Sequence, residues 1–208
     1  QSRGGSMRIV AVALATCCMF LCGNLSADEE PPALNPFAAQ TQSREDALPG
    51  SIVLSDGSIF AGKLYLTRDV RLRIYDEQTQ RQREVPFRVV QSLECNVKNQ
   101  WMEKEWRFKE NANDEKVFTG KEYPAREYLH TITLKDGRQI TGSLSGVVYV
   151  DPYEGGQTRK FLLHKRQKGP IGTELETLVY LQKIELGENA MQDAFARKQQ
   201  QETTQSNQ

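Results

Sequence analysis

The chain has 208 residues, of which 38% are hydrophobic and 26% are charged, and this length corresponds to one or two domains. Basic and acidic residues number 27 each, so the formal net charge is zero. A dedicated nucleic-acid binder normally carries a marked basic excess, and the charge balance therefore argues against that class.

The first segment of the chain has the pattern of a secretory signal peptide. Met7 and Arg8 precede an apolar run over residues 9–22, and Ala27 is the small residue before an acidic start. The run is shorter than the about 20 apolar residues that a membrane-spanning helix needs. We expect a true start at Met7, cleavage near Ala27, a secreted or periplasmic location and no transmembrane span in the mature chain. A buried core helix, an uncleaved anchor and a lipidated Cys17 are the alternatives.

Two flanking segments lack the pattern of a packed domain. Residues 28–49 contain four prolines and no sustained period, so they are predicted to be a disordered leader. Residues 188–208 contain six glutamines and one small apolar cluster. They are predicted to form one or two helical turns followed by a frayed polar tail.

Between these flanks, a stretch of thirteen residues occurs twice. Residues 52–64 align without gaps on residues 132–144 at an offset of 80, with six identical positions. A second match aligns residues 91–94 on residues 182–185 at an offset of 91. The second unit is therefore expected to hold about eleven extra residues, within 151–177, and the chain is predicted to contain a duplicated unit.

Each copy of the repeat is predicted to be a β-hairpin with a three-residue turn. Apolar and polar residues alternate on both sides of an Asp-Gly pair, as is typical of half-buried strands. A turn over residues 135–137 brings Ile132 opposite Ile140 and keeps apolar side chains on one face, whereas a two-residue Asp-Gly turn would mix the faces. In the first copy, the same turn brings Ile52 opposite Phe60.

Short strands are predicted to follow each hairpin. Gly62 and Gly142 lie within the second strand of their hairpins, where a glycine marks a bend or a close backbone approach. Strand-rich units of this size predict small closed or partly closed barrels at residues 50–96 and 130–187. The further strands are expected at residues 71–76, 83–87 and 89–95 in the first unit and at residues 147–150, 160–164, 177–181 and 182–186 in the second.

The repeated motif Leu-x-Asp-Gly-x-x-x-x-Gly-x-Leu, followed in the first unit by Asp69 and by Leu72-Arg73-Ile74, resembles the first motif of Sm-like proteins and, more loosely, of SH3-like small barrels. The resemblance implies an all-β fold of two tandem small barrels with disordered termini. The family's residues for RNA contact are missing, because Arg71 stands where an asparagine belongs and residues 87–90 replace an Arg-Gly pair. No nucleic-acid partner is therefore expected.

An aromatic-rich connector, residues 97–129, joins the two predicted barrels. Residues 105–109 alternate like a strand and residues 116–119 like its returning partner. A helix over residues 99–110 is the alternative. The two tryptophans of the connector are predicted to bury the joint between the barrels, so that both form one rigid body.

The sequence contains few residues that could act in catalysis or bind a metal ion. Cys95 is the one cysteine beyond residue 22, so we expect no intrachain disulfide in the mature chain and a buried small side chain rather than a reactive thiol. His130 and His164 lie in no metal-binding spacing, so no metal and no cofactor are predicted. Residues 142–146 imitate a nucleophile elbow but place Leu144 where that motif needs serine.

Six positively charged or ionisable residues in the second unit form the one candidate ligand site. They lie beside a Gly-Pro segment at residues 169–172, and such a loop is suited to an anionic partner such as a polysaccharide, a phospholipid headgroup or an acidic protein face. A solvated strand edge protected by lysines is the alternative. The six residues are Arg159, Lys160, His164, Lys165, Arg166 and Lys168.

These features predict an exported, non-catalytic interaction or envelope-structural protein whose partner is an envelope protein or an anionic polymer. The second hypothesis is an anion- or glycan-binding module that uses the basic segment. The third is a hydrolase whose residues meet only in space. A cavity that joins His130 or His164 to carboxylates would favour the enzyme, and a convex basic loop would favour the binder.

Overall fold

The computed structural model describes residues 44–109 and 114–206, with side chains up to residue 203. The predicted signal peptide and most of the predicted leader lie outside these residues. Residues 44–49 of that leader are described, and from Leu48 onward they belong to the first strand.

The described residues form eleven β-strands, two short 3-10 turns and one α-helix. The strands are β1 (Leu48–Leu54), β2 (Ile59–Leu66), β3 (Leu72–Asp76), β4 (Arg81–Val85), β5 (Val90–Phe108), β6 (Lys116–Leu134), β7 (Gln139–Leu144), β8 (Gly146–Pro152), β9 (Arg159–Leu163), β10 (Arg166–Lys168) and β11 (Leu181–Leu186). The 3-10 turns are Phe87–Val89 and Leu175–Thr177, and helix α1 spans Glu188–Ser206.

All of these strands belong to one antiparallel sheet that curls into a half-barrel. The strand order is β4-β3-β7-β6-β5-β11-β1-β2-β8-β9, and β10 is attached to β6. The fold is therefore mostly antiparallel β, as predicted, with one helix. Among the described residues, no helix has both the length and the apolar character needed to cross a bilayer.

The two predicted hairpins form with the predicted register. Ile52 lies opposite Phe60 in β1–β2, and Ile132 lies opposite Ile140 in β6–β7. The last turn residues, Gly57 and Gly137, have φ values of 85° and 84°, a left-handed conformation that suits glycine. The three-residue turn with its apolar face is therefore confirmed in both copies.

After the hairpins, the two repeats exchange strands. The β1–β2 hairpin pairs with β8, which belongs to the second repeat, so that Leu64 lies opposite Val150. The β6–β7 hairpin pairs with β3 of the first repeat, so that Leu144 lies opposite Ile74. Each half of the sheet is thus built from strands of both repeats.

One hydrophobic core serves both repeats. The buried cluster includes Ile52 and Leu64 of the first hairpin together with Ile132 and Leu144 of the second. The tandem barrels predicted from the sequence, each with its own interior, are not confirmed. The physical reason is that the β2–β3 and β7–β8 connections carry each repeat across to the other half of the sheet.

The glycines inside β2 and β7 allow this exchanged pairing. A Cβ atom on Gly62 would overlap the carbonyl oxygen of Asp151 in β8, and one on Gly142 would overlap the carbonyl oxygen of Tyr75 in β3. Both glycines therefore mark a close backbone approach, as the sequence predicted.

Two predicted segments near the end of the chain differ from the structure. Residues 177–181 were expected to form a strand, but a 3-10 turn ends at Thr177 and β11 begins at Leu181. The predicted short, frayed tail is instead the 19-residue helix α1. Met191 and Ala194 bury this helix against Ala61 of β2, and such tertiary packing stabilises helices whose local propensity is weak.

The predicted connector is a two-stranded arm formed by β5 and β6, which have 19 residues each. The hairpin interpretation is confirmed, and the helix alternative over residues 99–110 is wrong. Trp106, Phe108 and Phe118 do not bury a joint, because they are 37%, 50% and 62% exposed. Trp101 is partly buried, and the Arg166 guanidinium lies 5.0 Å from the centre of its ring. The joint between the two halves of the sheet is made by the pairing of β5 with β11.

Candidate functional site

The six residues of the predicted ligand site do not form one patch. Arg159 and Lys160 belong to β9, at the edge of the sheet, and lie opposite Val150 and Tyr149 of β8. The Arg159 guanidinium lies 4.8 Å from the centre of the Phe60 ring. These two cations are therefore separated from the other four by the length of β9.

Two further cations share one carboxylate of the arm. Arg166 and Lys168 lie 2.6 Å and 3.1 Å from the carboxylate oxygens of Glu103, and Lys168 also donates to the Tyr123 hydroxyl at 2.8 Å. Desolvation opposes the ionisation of Glu103, but the hydrogen bonds from Lys168, Tyr123 and Arg166 outweigh it and lower the pKa of this carboxyl. These contacts fix β10 and its loop against the arm.

His164, Lys165 and Arg166 come together at a cavity of about 970 Å³. This volume lies within the range of small-molecule sites. The cavity is bounded by the end of β3, the base of the arm, the β7–β8 connection and the segment that follows β9. The polar side chains that line it beside these three are Glu77, Lys98, Glu127, Tyr128, Ser143 and Ser145.

The cavity lies where the two repeats differ in length. Seven residues, 65–71, separate the equivalent positions Leu64 and Leu72 in the first repeat, whereas three residues, 145–147, separate Leu144 and Val148 in the second. The shorter connection includes Ser145 and Gly146, which line the cavity.

The second difference is an insertion that follows β9. In the first repeat, four residues, 86–89, separate Val85 from Val90. In the second repeat, nineteen residues, 162–180, separate the equivalent positions Phe161 and Leu181. The insertion thus follows β9 and lies mostly within residues 151–177, where the sequence predicted the extra residues. Its first residues line the cavity, so the second repeat departs from the first at this site in two places.

The cavity contains charges of both signs. Lys98 Nζ lies 2.9 Å from Glu77 Oε1, and the hydrogen bond from Lys98 to Glu77 raises the pKa of the lysine. Glu127 lies opposite Arg166 in the β6–β10 ladder. Lys165 is exposed, and no side-chain partner is seen for it among the described residues. The site can therefore both donate and accept several hydrogen bonds, and Lys165 remains free to bind an anion.

The two histidines are close to each other, and both are kept neutral. His130 is fully buried, and neither ring nitrogen has a hydrogen-bond partner within the described part of the chain. Burial, together with the charge of His164, lowers the pKa of His130 to about 4. Burial also lowers the pKa of His164. Near neutral pH the cavity therefore gains no positive charge from either ring.

Cys95 lies directly opposite His130 in the β5–β6 register. The sequence shows no histidine near this cysteine because the two residues are 35 positions apart. Burial raises the pKa of the Cys95 thiol to about 12, so we expect the thiol to stay protonated and unreactive. The predicted burial of Cys95 is confirmed, and its lack of reactivity stays a prediction.

The described residues of the cavity do not include a serine that is hydrogen-bonded to a histidine or a carboxylate. In the described ranges, His164 makes no hydrogen bond to Ser143, Ser145, Glu77 or Glu127, whereas an activated serine needs a base within hydrogen-bond reach. No group of three or more metal-binding side chains occurs among the residues that the structure describes. No protein-family model, curated protein or solved structure matches this chain.

Proposed function

We propose that this protein is an exported, non-catalytic binding module whose cavity takes a glycan chain, neutral or with occasional carboxylates. The observation that carries the proposal is the cavity at the β7–β8 connection, lined by Glu127, Lys165 and two serines. Its position at the two length differences between the repeats supports a specialised role, because the strands that flank these differences follow the duplication.

The charge of the cavity favours a glycan over a strongly anionic polymer. Three cations and two carboxylates line the cavity. Within it, Lys98 is paired with Glu77, whereas Arg166 is paired with Glu103, which lies outside the cavity. The carboxylates of the cavity would repel a polyanion. Sugar hydroxyls can donate to Glu127 and accept from Lys165, and a few well-placed polar groups of this kind fix the orientation of a ligand.

We also propose that the sheet derives from two small barrels of the Sm-like or SH3-like kind that exchanged strands. The strand orders β11-β1-β2-β8-β9 and β5-β6-β7-β3-β4 support this origin, since the two five-strand sets correspond position by position. Signal-peptide cleavage near Ala27 and export remain part of the proposal. Expression of the whole chain in a bacterial secretion host, followed by N-terminal sequencing of the exported protein, tests them.

Binding to soluble polysaccharides, measured by titration calorimetry, tests the glycan proposal. Lys165→Ala and Glu127→Gln are expected to weaken binding by about tenfold, or about 1.4 kcal/mol each. Lys160→Ala is the matched control, because this lysine is exposed on β9 and lies outside the cavity lining. Equal loss of binding in the control and in Lys165→Ala would refute a site in the cavity.

A hydrolase is the second candidate, because the cavity holds His164 together with the carboxylates Glu77 and Glu127. The two candidates are separated by incubating the protein with the polysaccharide that it binds and measuring new reducing ends. Release that His164→Gln abolishes would establish the enzyme. Binding without release supports the binding module.

A further inference from the structure

Within residues 44–109 and 114–206, no strand neighbours the outer part of the β5–β6 arm. On the body side, β10 pairs with residues 125–127 of β6, and the loop after β10 donates to the carbonyl groups of Pro124 and Glu122. Further out, the described parts of the two strands are paired with each other. A two-stranded hairpin of this kind is marginally stable in water, so an additional contact would stabilise it.

One face of this outer arm carries exposed apolar side chains between charged ones. Along β5, the even-numbered residues from 102 to 106 are more exposed than the odd-numbered ones, because β10 and its loop cover the odd face. We define the arm face as Met102, Trp106, Phe108 and Phe118, which are between 37% and 62% exposed. Exposed apolar patches of this kind mark interaction sites.

Three cross-strand pairs follow one another along the arm face. Phe108 lies opposite Lys116 near the tip, Trp106 lies opposite Phe118 in the middle, and Lys104 lies opposite Glu122 on the body side. Direct cross-strand partners share a face of the ladder. The aromatic pair is therefore flanked by a lysine towards the tip and a glutamate towards the body, both on β6.

We propose that the arm face binds the arm face of a second copy of this chain, with the two arms antiparallel about a two-fold axis. The axis passes by the Trp106–Phe118 pair, so these rings pack against their own counterparts. The same operation places Lys116 of one copy opposite Glu122 of the other, twice. It also keeps the two protein bodies at opposite ends of the interface.

The charges of the arm favour a second copy over a lipid surface. Asp114 and Glu115 flank the tip beside Lys109 and Lys116, and a membrane with anionic headgroups would repel these carboxylates. A self-complementary arrangement satisfies both signs of charge. The three aromatic side chains expose roughly 300 Å² per copy, which is below the about 800 Å² per partner of a standard interface. The dimer is therefore weak and reversible.

Sedimentation velocity of the full chain tests the proposed dimer. The concentration is raised from about 1 μM to about 500 μM, a range over which a weak dimer becomes populated. The wild-type protein is expected to dimerise with rising concentration. Lys116→Glu and Glu122→Lys are each expected to weaken association by at least about tenfold, because each variant places like charges at both contacts between positions 116 and 122. Mixed in equal amounts, the two variants restore association, because a mixed pair has opposite charges at both of these contacts.

Weakening by each single variant together with rescue by mixing identifies a second copy in the antiparallel arrangement, because a parallel pair would already have like charges opposite each other in the wild type. Lys160→Glu on β9 is the control and is expected to associate like the wild type. The double variant Trp106→Thr with Phe118→Thr is expected to stay monomeric with an unchanged circular dichroism spectrum. A wild-type protein that is monomeric throughout the concentration range, or charge variants that mixing does not rescue, would overturn the proposal.

Discussion

Leu93 and Ile184 occupy equivalent positions in the two repeats and lie directly opposite each other across β5 and β11. Leu93 also lies opposite Ile132, and Ile184 lies opposite Ile52, and these two partners are equivalent to each other as well. A local two-fold relationship therefore passes through this pair of residues. The duplication is expressed as one sheet with a shared centre.

Because β7 approaches β3 closely, a single methyl group added at Gly142 is expected to lower the stability of the fold strongly. Gly142→Ala places a Cβ atom on the carbonyl oxygen of Tyr75, so the strands must separate. We expect a loss of about 2–4 kcal/mol in the free energy of unfolding, measured by urea denaturation.

Gly146→Ala is the matched control for this substitution. Its Cβ atom would lie 3.8 Å from Leu163, an ordinary contact, and the expected change is below about 1 kcal/mol. Gly62→Ala, at the equivalent position of the first repeat, is expected to behave like Gly142→Ala. Equal stabilities of the Gly142→Ala and Gly146→Ala variants would contradict the exchanged pairing.

The buried His130 predicts that stability falls on acidification. Its pKa is about 4 in the folded protein and 6.5 when unperturbed, so between these values the unfolded chain binds more protons. The free energy of unfolding therefore decreases as pH falls from 6.5 to about 4. The total loss from this residue is about 3 kcal/mol, which denaturation at a series of pH values measures.

His130→Leu removes the titrating ring and the two unpartnered nitrogens. This variant is expected to lose most of the pH dependence in that window and to be more stable than the wild type near pH 4. His164→Gln, which removes a neighbouring charge, is expected to reduce the dependence much less. The same pH slope in the wild type and in His130→Leu would rule out this explanation.

The burial of Cys95 predicts that its thiol is unreactive until the protein unfolds. With a pKa of about 12, a negligible fraction is thiolate near pH 8. With Cys17, Cys18 and Cys22 replaced by serine, the folded chain is expected to react with a disulfide reagent at least about 100-fold more slowly than in urea.

Ser145→Cys provides the comparison, because this exposed position at the cavity gives a thiol that reacts quickly in the folded state. In urea, both cysteines are expected to react at the same rate. Rapid modification of Cys95 in the folded protein would show that the β5–β6 ladder opens readily around it.

Local patterns in the sequence were sufficient to predict the two hairpins but not the strands that pair with them. The Asp-Gly turn and the alternation around it determine that Ile132 meets Ile140. The choice between Ile74 and Val150 as the partner of Leu64 has no local signal, because these two residues are equivalent apolar positions of the two repeats. The connections decide it, and their course cannot be read from periodicity.

The candidate site was predicted in part for a similar reason. Clustering of charge along the chain identified Lys165 and Arg166, which line the cavity. Lys98 and Glu77 come from the arm and from the end of β3, and only the exchanged strands bring them to the same place. Helix α1 was underestimated because few of its side chains, among them Met191, pack on the sheet.

The strand exchange is tested most directly by nuclear Overhauser effects between backbone protons of opposing strands. The account predicts contacts between Leu64 and Val150 and between Leu144 and Ile74. Contacts between Leu64 and Ile74 and between Leu144 and Val150 would instead place each hairpin beside the strands of its own repeat, and would contradict the shared sheet.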